Sequence, residues 1–284
     1  MHVFLAGATG VLGRRIVPLL MAQGHRVTGL VRTTANATAL RARGAEAAVA
    51  NVYDVDALTR VMRTAAPDVV MHQLTDLGAL DLESNAEIRR SGTRNLVDAA
   101  LAADVAGIVA QSVSWAYEGG DEPAAESTPL DLDAGPPRST TVSGVAALER
   151  IVREMPHWVV LRYGVLYGPT TWYHPGALMA DRAVAGELTA DADVSSFVHV
   201  DDAANAAVAA LAWSSGAVNI CDNEPASGFE WLPVFCESVG APRPRTATGT
   251  ARRAWARGAD NRHAREDLGW TPSYPSWRSG FTAG

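Results

Sequence analysis

Short apolar runs alternate with stretches of helical period through the first half of the chain. Val3 to Ala6 is an apolar run that leads into a glycine-rich turn, and Val11 to Gln23 then repeats its apolar positions every three to four residues. After a turn at Gly24-His25, Arg26 to Val31 reads as a second strand, Ala35 to Arg43 as a helix and Glu46 to Asn51 as an extended piece. Val55 to Ala65 is helical and ends before Pro67, Asp68 to Gln73 is a fourth strand, Asn85 to Ala103 a long helix, and Ala106 to Ser112 a fifth strand. Strands that alternate with helices form a parallel sheet covered on both faces, because each crossover must pack back onto the sheet. Glu118 to Pro137, rich in Gly, Pro, Asp and Glu, reads as a surface loop. A helix over Thr141 to Glu154 and a strand over Trp158 to Arg162 follow, and beyond Gly168-Pro169 the periodicity becomes irregular. The predicted class is α/β, a doubly wound parallel sheet over residues 1–168 with a smaller C-terminal α/β substrate-binding domain over 169–284, some segments of which return to the first.

Composition changes this picture at one point. All 24 residues counted as Lys+Arg are arginine, so the chain has no lysine. Schiff-base chemistry, an internal aldimine with pyridoxal phosphate and a P-loop nucleotide site all need an ammonium on a flexible stem, and all are excluded. A net charge of −7 gives no electrostatic reason to bind nucleic acid or an anionic membrane. Cys221 and Cys236 make neither a disulfide framework nor a metal cluster, which fits a reducing compartment. With a strand starting almost at once and no apolar run of spanning length, the expected location is the cytoplasm, with no metal and no membrane partner.

Gly7, Gly10 and Gly13 form G-x-x-G-x-x-G between the first strand and the first helix, the context that a dinucleotide requires. The first glycine permits the tight turn, the second lets backbone approach the pyrophosphate, and the third lets the helix pack closely. The N–H groups of Thr9, Gly10, Val11 and Leu12 then face the phosphates at the positive end of the helix dipole. This is a Rossmann site. An NAD site usually ends its second strand in a carboxylate that accepts from the ribose hydroxyls. Here the strand ends Gly29-Leu30-Val31-Arg32-Thr33-Thr34, and Arg32 is placed to pair with a 2′-phosphate, a charge-assisted bond worth about 1.5–3 kcal/mol. The expected cofactor is NADP(H) in preference to NAD(H).

At these residues the chain resembles the extended short-chain dehydrogenase/reductases, close to the NAD(P)-dependent epimerase/dehydratase group. Ser91 to Leu96 (SGTRNL) looks like the family's GT-x-NL helix, and Ser112 to Tyr117 (SVSWAY) falls at its serine-rich strand end. Leu161 to Pro169 (LRYGVLYGP) resembles the segment beside the nicotinamide, Phe197 to Ala203 (FVHVDDA) resembles F-V-H-V-D-D-V/A, and Leu268-Gly269-Trp270 with Pro272 resembles L-G-W-x-P. The resemblance covers nearly the whole chain. It implies further cofactor contacts from Asn51, Val52, Gln73, Leu74, Tyr163 and Val165. It also implies a substrate cleft with aromatic walls, in which Trp115, Tyr117, Tyr167, Trp172 and His199 contact the substrate.

The family's catalytic helix carries Tyr-x-x-x-Lys. Aligning on Glu149 puts Thr141 at the tyrosine position and Val145 at the lysine position. No shift of register restores the pair, since no lysine exists. Counting back four from Tyr117, the family's serine falls on Val113, between Ser112 and Ser114. Three replacements for the acid are open: another protein group, Tyr117, Tyr167 or His199; a hydrogen bond from the catalytic candidates Ser112, Ser114 or Thr141 that polarises a carbonyl; or a substrate whose own neighbouring phenol or enol bonds to the carbonyl oxygen. The expected function is an NADPH-dependent ketoreductase acting on a planar aromatic or polyketide-type molecule in antibiotic biosynthesis, since lysine-free, alanine-rich chains of this kind look like actinomycete tailoring enzymes. The alternatives are a non-enzymatic NADP(H) sensor and a nucleotide-sugar epimerase or dehydratase, and the expected assembly is a monomer or homodimer. Asp201 and Asp202 are expected to cap the helix that follows, Trp213, Trp231, Trp255, Trp270 and Trp277 to pack in the core or between domains, and the arginines from Arg243 to Arg265 to line a solvated helix face.

Overall fold

A computed structural model describes residues 1–77, 81–249 and 251–282. The first half runs β1 (His2–Ala6), α1 (Gly13–Ala22), β2 (Arg26–Val31), α2 (Thr34–Arg41), β3 (Glu46–Val49), α3 (Val55–Ala65), β4 (Val69–His72), α4 (Leu82–Glu87), a π turn (Ile88–Gly92), α5 (Thr93–Leu101) and β5 (Gly107–Val113). Then follow α6 (Arg138–Val152), β6 (His157–Tyr163), β7 (Val165–Tyr167), α7 (Leu178–Val184), β8 (Thr189–Ala190), β9 (Val194–Ser195), β10 (Phe197–His199) and α8 (Val200–Ala209). The chain ends with β11 (Gly216–Ile220), β12 (Ala226–Ser227), α9 (Gly228–Ser238), β13 (Arg245–Thr246) and α10 (Trp277–Gly280).

Seven strands form one sheet in the order β11-β6-β5-β4-β1-β2-β3. The pairs β1–β2, β1–β4, β2–β3 and β4–β5 are parallel, with Ala6 level with Leu30 on one side and with His72 on the other. Strand order reverses between β1 and β4, and in open α/β sheets ligands bind at the carboxyl ends of the strands at such a reversal. The α/β class and the doubly wound sheet are as the periodicity predicts.

Beyond residue 168 the segment Ala207–Ala217 returns to the first unit. The chain divides into two compact units that interleave: Met1–Ser112, Leu132–Leu161 and Ala207–Ala217 in the first, and Val113–Asp131, Arg162–Ala206 and the chain from Val218 in the second. The first unit has an extensive buried cluster, in which Phe4, Leu58, Met62, Leu96, Val97, Ile108, Leu148 and Val160 are all fully buried. Strands buried on both faces by helices explain its near-continuous apolar runs. The second unit is held by smaller clusters, one around Tyr167, Phe197, Ala226 and Trp277 and one around Leu188, Leu232 and Phe235. Its strands pair two at a time, β10 with β7, β12 with β9 and β13 with β8.

Candidate functional site

In the first unit the site begins at the turn after β1. Gly7 has φ +99°, and a Cβ there would lie 2.6 Å from the Gln73 carbonyl oxygen. A Cβ on Gly13 would overlap the Gly7 carbonyl oxygen and come within 2.7 Å of the Ala8 backbone. Both positions demand glycine because the turn folds tightly onto β4 and onto the start of α1. The turn is closed by Gly10 N–H donating to Gly7 O and Arg14 N–H donating to Gly10 O, both at 3.0 Å. Among the described residues, the N–H groups of Thr9, Val11 and Leu12 have no backbone acceptor, and no side chain caps α1. Free donors at a helix N-terminus attract an anion.

Other groups at the same strand ends are also unsatisfied. Gln73 N–H donates to Ala6 O at 2.8 Å, but both polar atoms of its side chain are buried without a partner. Leu74 follows it, its carbonyl accepting from Gln111 Nε2 at 3.0 Å. Val52 is buried and its carbonyl accepts from Asn95 Nδ2 at 3.0 Å, while the exposed Asn51 holds Tyr53 N–H at 3.1 Å. Arg32 is exposed beyond β2, and the next residue, Thr33, caps α2 by accepting from Asn36 N–H. Arg14 donates to Thr9 O at 2.9 Å and Arg43 to Arg14 O at 2.7 Å, so arginines edge this turn. A cradle that a Cβ would fill, free backbone donors and an orphaned buried amide together fit a dinucleotide.

The acid/base positions of this unit are empty of acid/base chemistry. Thr141 and Val145 lie on α6, 5% and 0% exposed. Ser112 is buried and donates its hydroxyl to Glu149 Oε1 at 2.9 Å, with Arg153 3.8 Å from that carboxylate. Its proton is thus committed within the fold. His72 is fully buried, and burial, with the Arg89 charge second, pushes it down to about 4, so it is neutral. Among the described residues, no group of His, Cys, Asp or Glu is arranged to hold a metal ion.

Arg89 escaped the sequence reading. It lies on the π turn, 3% exposed, and burial lowers it to about 10. The signal was present: Ala86, Arg89, Thr93, Leu96 and Val97 repeat at three to four residues, so an arginine occupies the buried face of a helix.

The second unit contains a cavity of about 370 Å³. Trp115, Tyr173, Met179, Trp231, Leu232 and Trp255 give it apolar and aromatic walls, Ser114 and Val165 line one part, and Asp191, Asp193 and Arg253 supply charge. Arg253 is ion-paired with Asp193 through its side chain and donates its N–H to the same carboxylate at 2.9 Å. The Trp231 indole N–H is buried without a partner. Burial pushes the Tyr173 phenol up to about 12, so it stays protonated at neutral pH.

Of the five residues expected on the substrate, Trp115 lines this cavity. Trp172 is 39% exposed and lies outside its lining. Tyr117, Tyr167 and His199 are corrected to framework positions. Tyr117 is 1% exposed, its hydroxyl donating to Asn219 Oδ1 at 2.5 Å and accepting from Arg162 at 2.9 Å. Tyr167 is fully buried, edge-on to Phe197, His199 and Phe281. His199 is buried with its ring stacked 3.7 Å from that of Tyr274. Tyr163 is buried, and its carbonyl accepts from Ser114 N–H at 2.9 Å. Asp201 and Asp202 fall within the first turn of α8, and instead of capping it Asp202 accepts from Ser273 and Tyr274 N–H, each at 2.8 Å. Trp231 and Trp255 line the cavity, Trp231 also packing against the buried clusters that hold Phe235 and Phe197, and residues 243–261 have no helix among those described, while Arg262 and Arg265 fall at a π turn (His263–Asp267). Isolated tryptophans carry no periodicity, and nothing local distinguishes a cavity wall from a core.

The sequence matches the NAD dependent epimerase/dehydratase family over residues 3–221. It is 41% identical to a Streptomyces 3-diazoavenalumate denitrifying reductase, over 99% of both chains. It is 28% identical to a Mycolicibacterium smegmatis UDP-glucose 4-epimerase over 96% of this chain and 94% of that one. Solved structures of similar fold include the UDP-glucose 4-epimerase of Thermotoga maritima with UDP-glucose, at TM-score 0.78 and 21% identity, covering 99% of this chain and 96% of that one. The Thermus thermophilus UDP-glucose 4-epimerase with NAD aligns at TM-score 0.77 and 24% identity, covering 99% and 97%.

Proposed function

The chain belongs to the NAD dependent epimerase/dehydratase family as an NAD(P)-dependent oxidoreductase, and from that premise we propose that it reduces an aromatic substrate with NADPH without a proton donor of its own. The observation that carries this is the buried Thr141 and Val145 where a tyrosine and a lysine would act, with the Ser112 proton already held by Glu149. A reduction suited to such a site moves hydride and no proton. An aryl diazonium meets that condition: hydride bonds to the ring carbon, the carbon–nitrogen bond breaks, and N2 leaves with the bonding pair, so that ArN2⁺ and H⁻ give ArH and N2. The printed activity of the Streptomyces relative, a denitrifying reductase acting on a diazo compound, supports this substrate class. The bound cofactor supplies the hydride. The chain's own residues orient the nucleotide through the glycine turn and Arg32, hold a planar ring between Trp115, Trp231 and Trp255, and keep water from it.

A second reading is reduction of an aromatic, polyketide-type ketone in secondary metabolism. It is favoured by Ser114 in the cavity wall, a neutral hydroxyl suited to polarising a carbonyl whose own phenol neighbour relays the proton. Nucleotide-sugar epimerisation fits less well, because oxidising an unactivated alcohol calls for a base that Thr141 and Val145 do not provide.

The test is to incubate the protein with NADPH deuterated at C4 and either an ortho-hydroxy aryl diazonium or a panel of aromatic ketones, following cofactor oxidation and product mass. Deuterium on an arene carbon with release of N2 supports the first reading, and deuterium on a carbinol carbon supports the second. NADPH binding without turnover of either class overturns both and leaves a sensor. In the diazonium reaction Thr141→Ala, Ser112→Ala and Ser114→Ala each keep kcat within about tenfold. A loss above about a thousandfold in any one, the size of a lost acid or oxyanion donor, rejects a donor-free mechanism.

A further inference from the structure

Helix α4, the π turn and α5 form one continuous helical segment, in which Asn85, Arg89 and Thr93 are spaced by four and lie on one face. Both outer members of that row touch the chain at the end of β4. Asn85 Oδ1 accepts from Asp76 N–H at 3.0 Å, and Thr93 Oγ1 is 2.9 Å from His72 Nε2. Arg89, between them, faces the same stretch, residues 72–76. A single π turn inserted in an α-helix is a recurrent mark of a functional position.

The two adjacent arginines of this turn have opposite surroundings. Arg90 is ion-paired with Glu83 and Glu87 on the surface. Arg89 is 3% exposed, and among the described residues no carboxylate, carbonyl or hydroxyl pairs with its guanidinium, whose Nε is buried without an acceptor. Its ionisable neighbour His72 is neutral and offers no charge. A guanidinium so deeply buried and left unpaired is costly, and native folds avoid it unless something completes the site. Gln73, in the stretch that Arg89 faces, also has a buried and partnerless amide, and its carbonyl lies against Gly7. Both orphaned groups thus belong to the carboxyl ends of β1 and β4, where the sheet order reverses. The same helical segment packs directly on α6: a Cβ on Gly144 would lie 3.0 Å from Ala86 Cα.

We infer that Arg89 is a cofactor-anchoring residue, its guanidinium and the Gln73 amide together taking up an oxygen-rich group, pyrophosphate or ribose hydroxyls, of the dinucleotide bound on the glycine turn. The π turn thereby brings a cation to a helix pair whose other member, α6, offers only Thr141 and Val145. The assignment rests on dinucleotide binding by the family and not on the substrate class, so the failure of either substrate reading leaves it intact.

The test reads binding and stability, not turnover. NADPH is titrated by fluorescence against the wild type, Arg89→Met, Arg89→Lys and Gln73→Leu, and thermal unfolding is followed with and without saturating NADPH. Arg89→Met is expected to leave the ligand-free midpoint unchanged or raised, since an apolar chain replaces an unpaired charge. It raises the NADPH Kd by about tenfold to a hundredfold, the size of a lost charge-assisted hydrogen bond, and shrinks the NADPH-induced shift of the midpoint. Arg89→Lys falls between the two. An NADPH Kd within about twofold of wild type in Arg89→Met overturns the inference, whatever happens to stability. Should Arg89→Met fail to fold, Arg89→Lys and Gln73→Leu decide on the same criterion. Titration with 2′,5′-ADP, which lacks the pyrophosphate and the second ribose, separates the two halves: affinity kept there while NADPH weakens puts the contact beyond the adenosine half, and equal loss puts it on the adenosine phosphates.

Discussion

The two compact units differ in where their buried polar groups are paired. In the second unit Asn219 donates to the carbonyls of Ala124 and Asp260 at 3.0 Å and accepts from Tyr117, which Arg162 also holds. Asp202 ties down Ser273 and Tyr274, and Asp222 ties down Glu224 and Trp277. Such pairing explains how a unit built from two-stranded pieces keeps one arrangement: its irregular chain is fixed by side chains that satisfy backbone groups. The first unit relies mainly on its sheet to satisfy the backbone, with ties such as Asn95 to the Val52 carbonyl and Gln111 to the Leu74 carbonyl at the strand ends. Yet it leaves Gln73, Arg89 and the donors at the start of α1 unpaired at the edge where two strands diverge. Single orphaned atoms occur in both units, among them the Tyr167 hydroxyl and His2 Nδ1, but at the ends of β1 and β4 several gather at one place, as where a ligand completes a site. The Trp231 indole N–H is a further orphaned atom, in the cavity wall.

The most severe way to break this contrast is to fill the space that the unpaired donors surround. Gly13→Ala places a methyl against the Gly7 carbonyl and the Ala8 backbone, neither of which is a flexible side-chain end. The expected outcome is a loss of about a hundredfold or more in NADPH affinity and a destabilisation of about 2–3 kcal/mol, read by titration and urea unfolding. Unchanged binding would show that the turn is not the nucleotide site. A smaller effect sharpens the same edge. Arg32→Ala is expected to raise the KM for NADPH about tenfold to a hundredfold and that for NADH by much less, as one charge-assisted contact to a 2′-phosphate is lost. Equal effects on both cofactors would sink the NADP preference.

The same contrast explains what was legible beforehand. Strand β2 and helix α3 end where the apolar pattern places them, at Val31 and Ala65, and the glycine turn is readable because backbone geometry dictates residue type at Gly7 and Gly13. Periodicity also carried Arg89, on the buried face of a helix. The second unit was not legible in this way. Tyr117 and Tyr167 look like cavity walls in sequence, but their surroundings are set by residues distant along the chain, such as Asn219 and Phe281. Trp231 and Trp255 became wall residues for the same reason, since only tertiary packing decides whether an aromatic faces a core or a space.

The smallest effect tests the second unit's pairing through its pH dependence. The Asp222 carboxylate accepts N–H groups from Trp277 at 2.8 Å and Glu224 at 3.2 Å, yet burial outweighs them and pushes it up to about 8 from an ordinary 3.8, with the Glu224 and Asp202 charges adding repulsion. The unfolded chain releases this proton near 3.8 and the folded one near 8, so between those values the folded state holds more protons and stability falls as pH rises. His72 acts on the other side. Its folded value near 4 lies below the ordinary 6.5, so it removes stability as pH falls through that range and contributes no slope above it. Between pH 6.5 and pH 8 the slope from this pair therefore belongs to Asp222. One proton held back sets an upper bound of about 1.4 kcal/mol per pH unit. Urea unfolding across that window should show wild-type stability falling by up to this slope and Asp222→Asn running nearly flat. The asparagine loses one of two acceptor oxygens and is offset at every pH by a constant amount, which leaves the slope as the readout. Equal slopes in the two proteins would mean that the Trp277 and Glu224 N–H groups hold the carboxylate ionised against its burial, and that pairing in this unit carries no titration penalty.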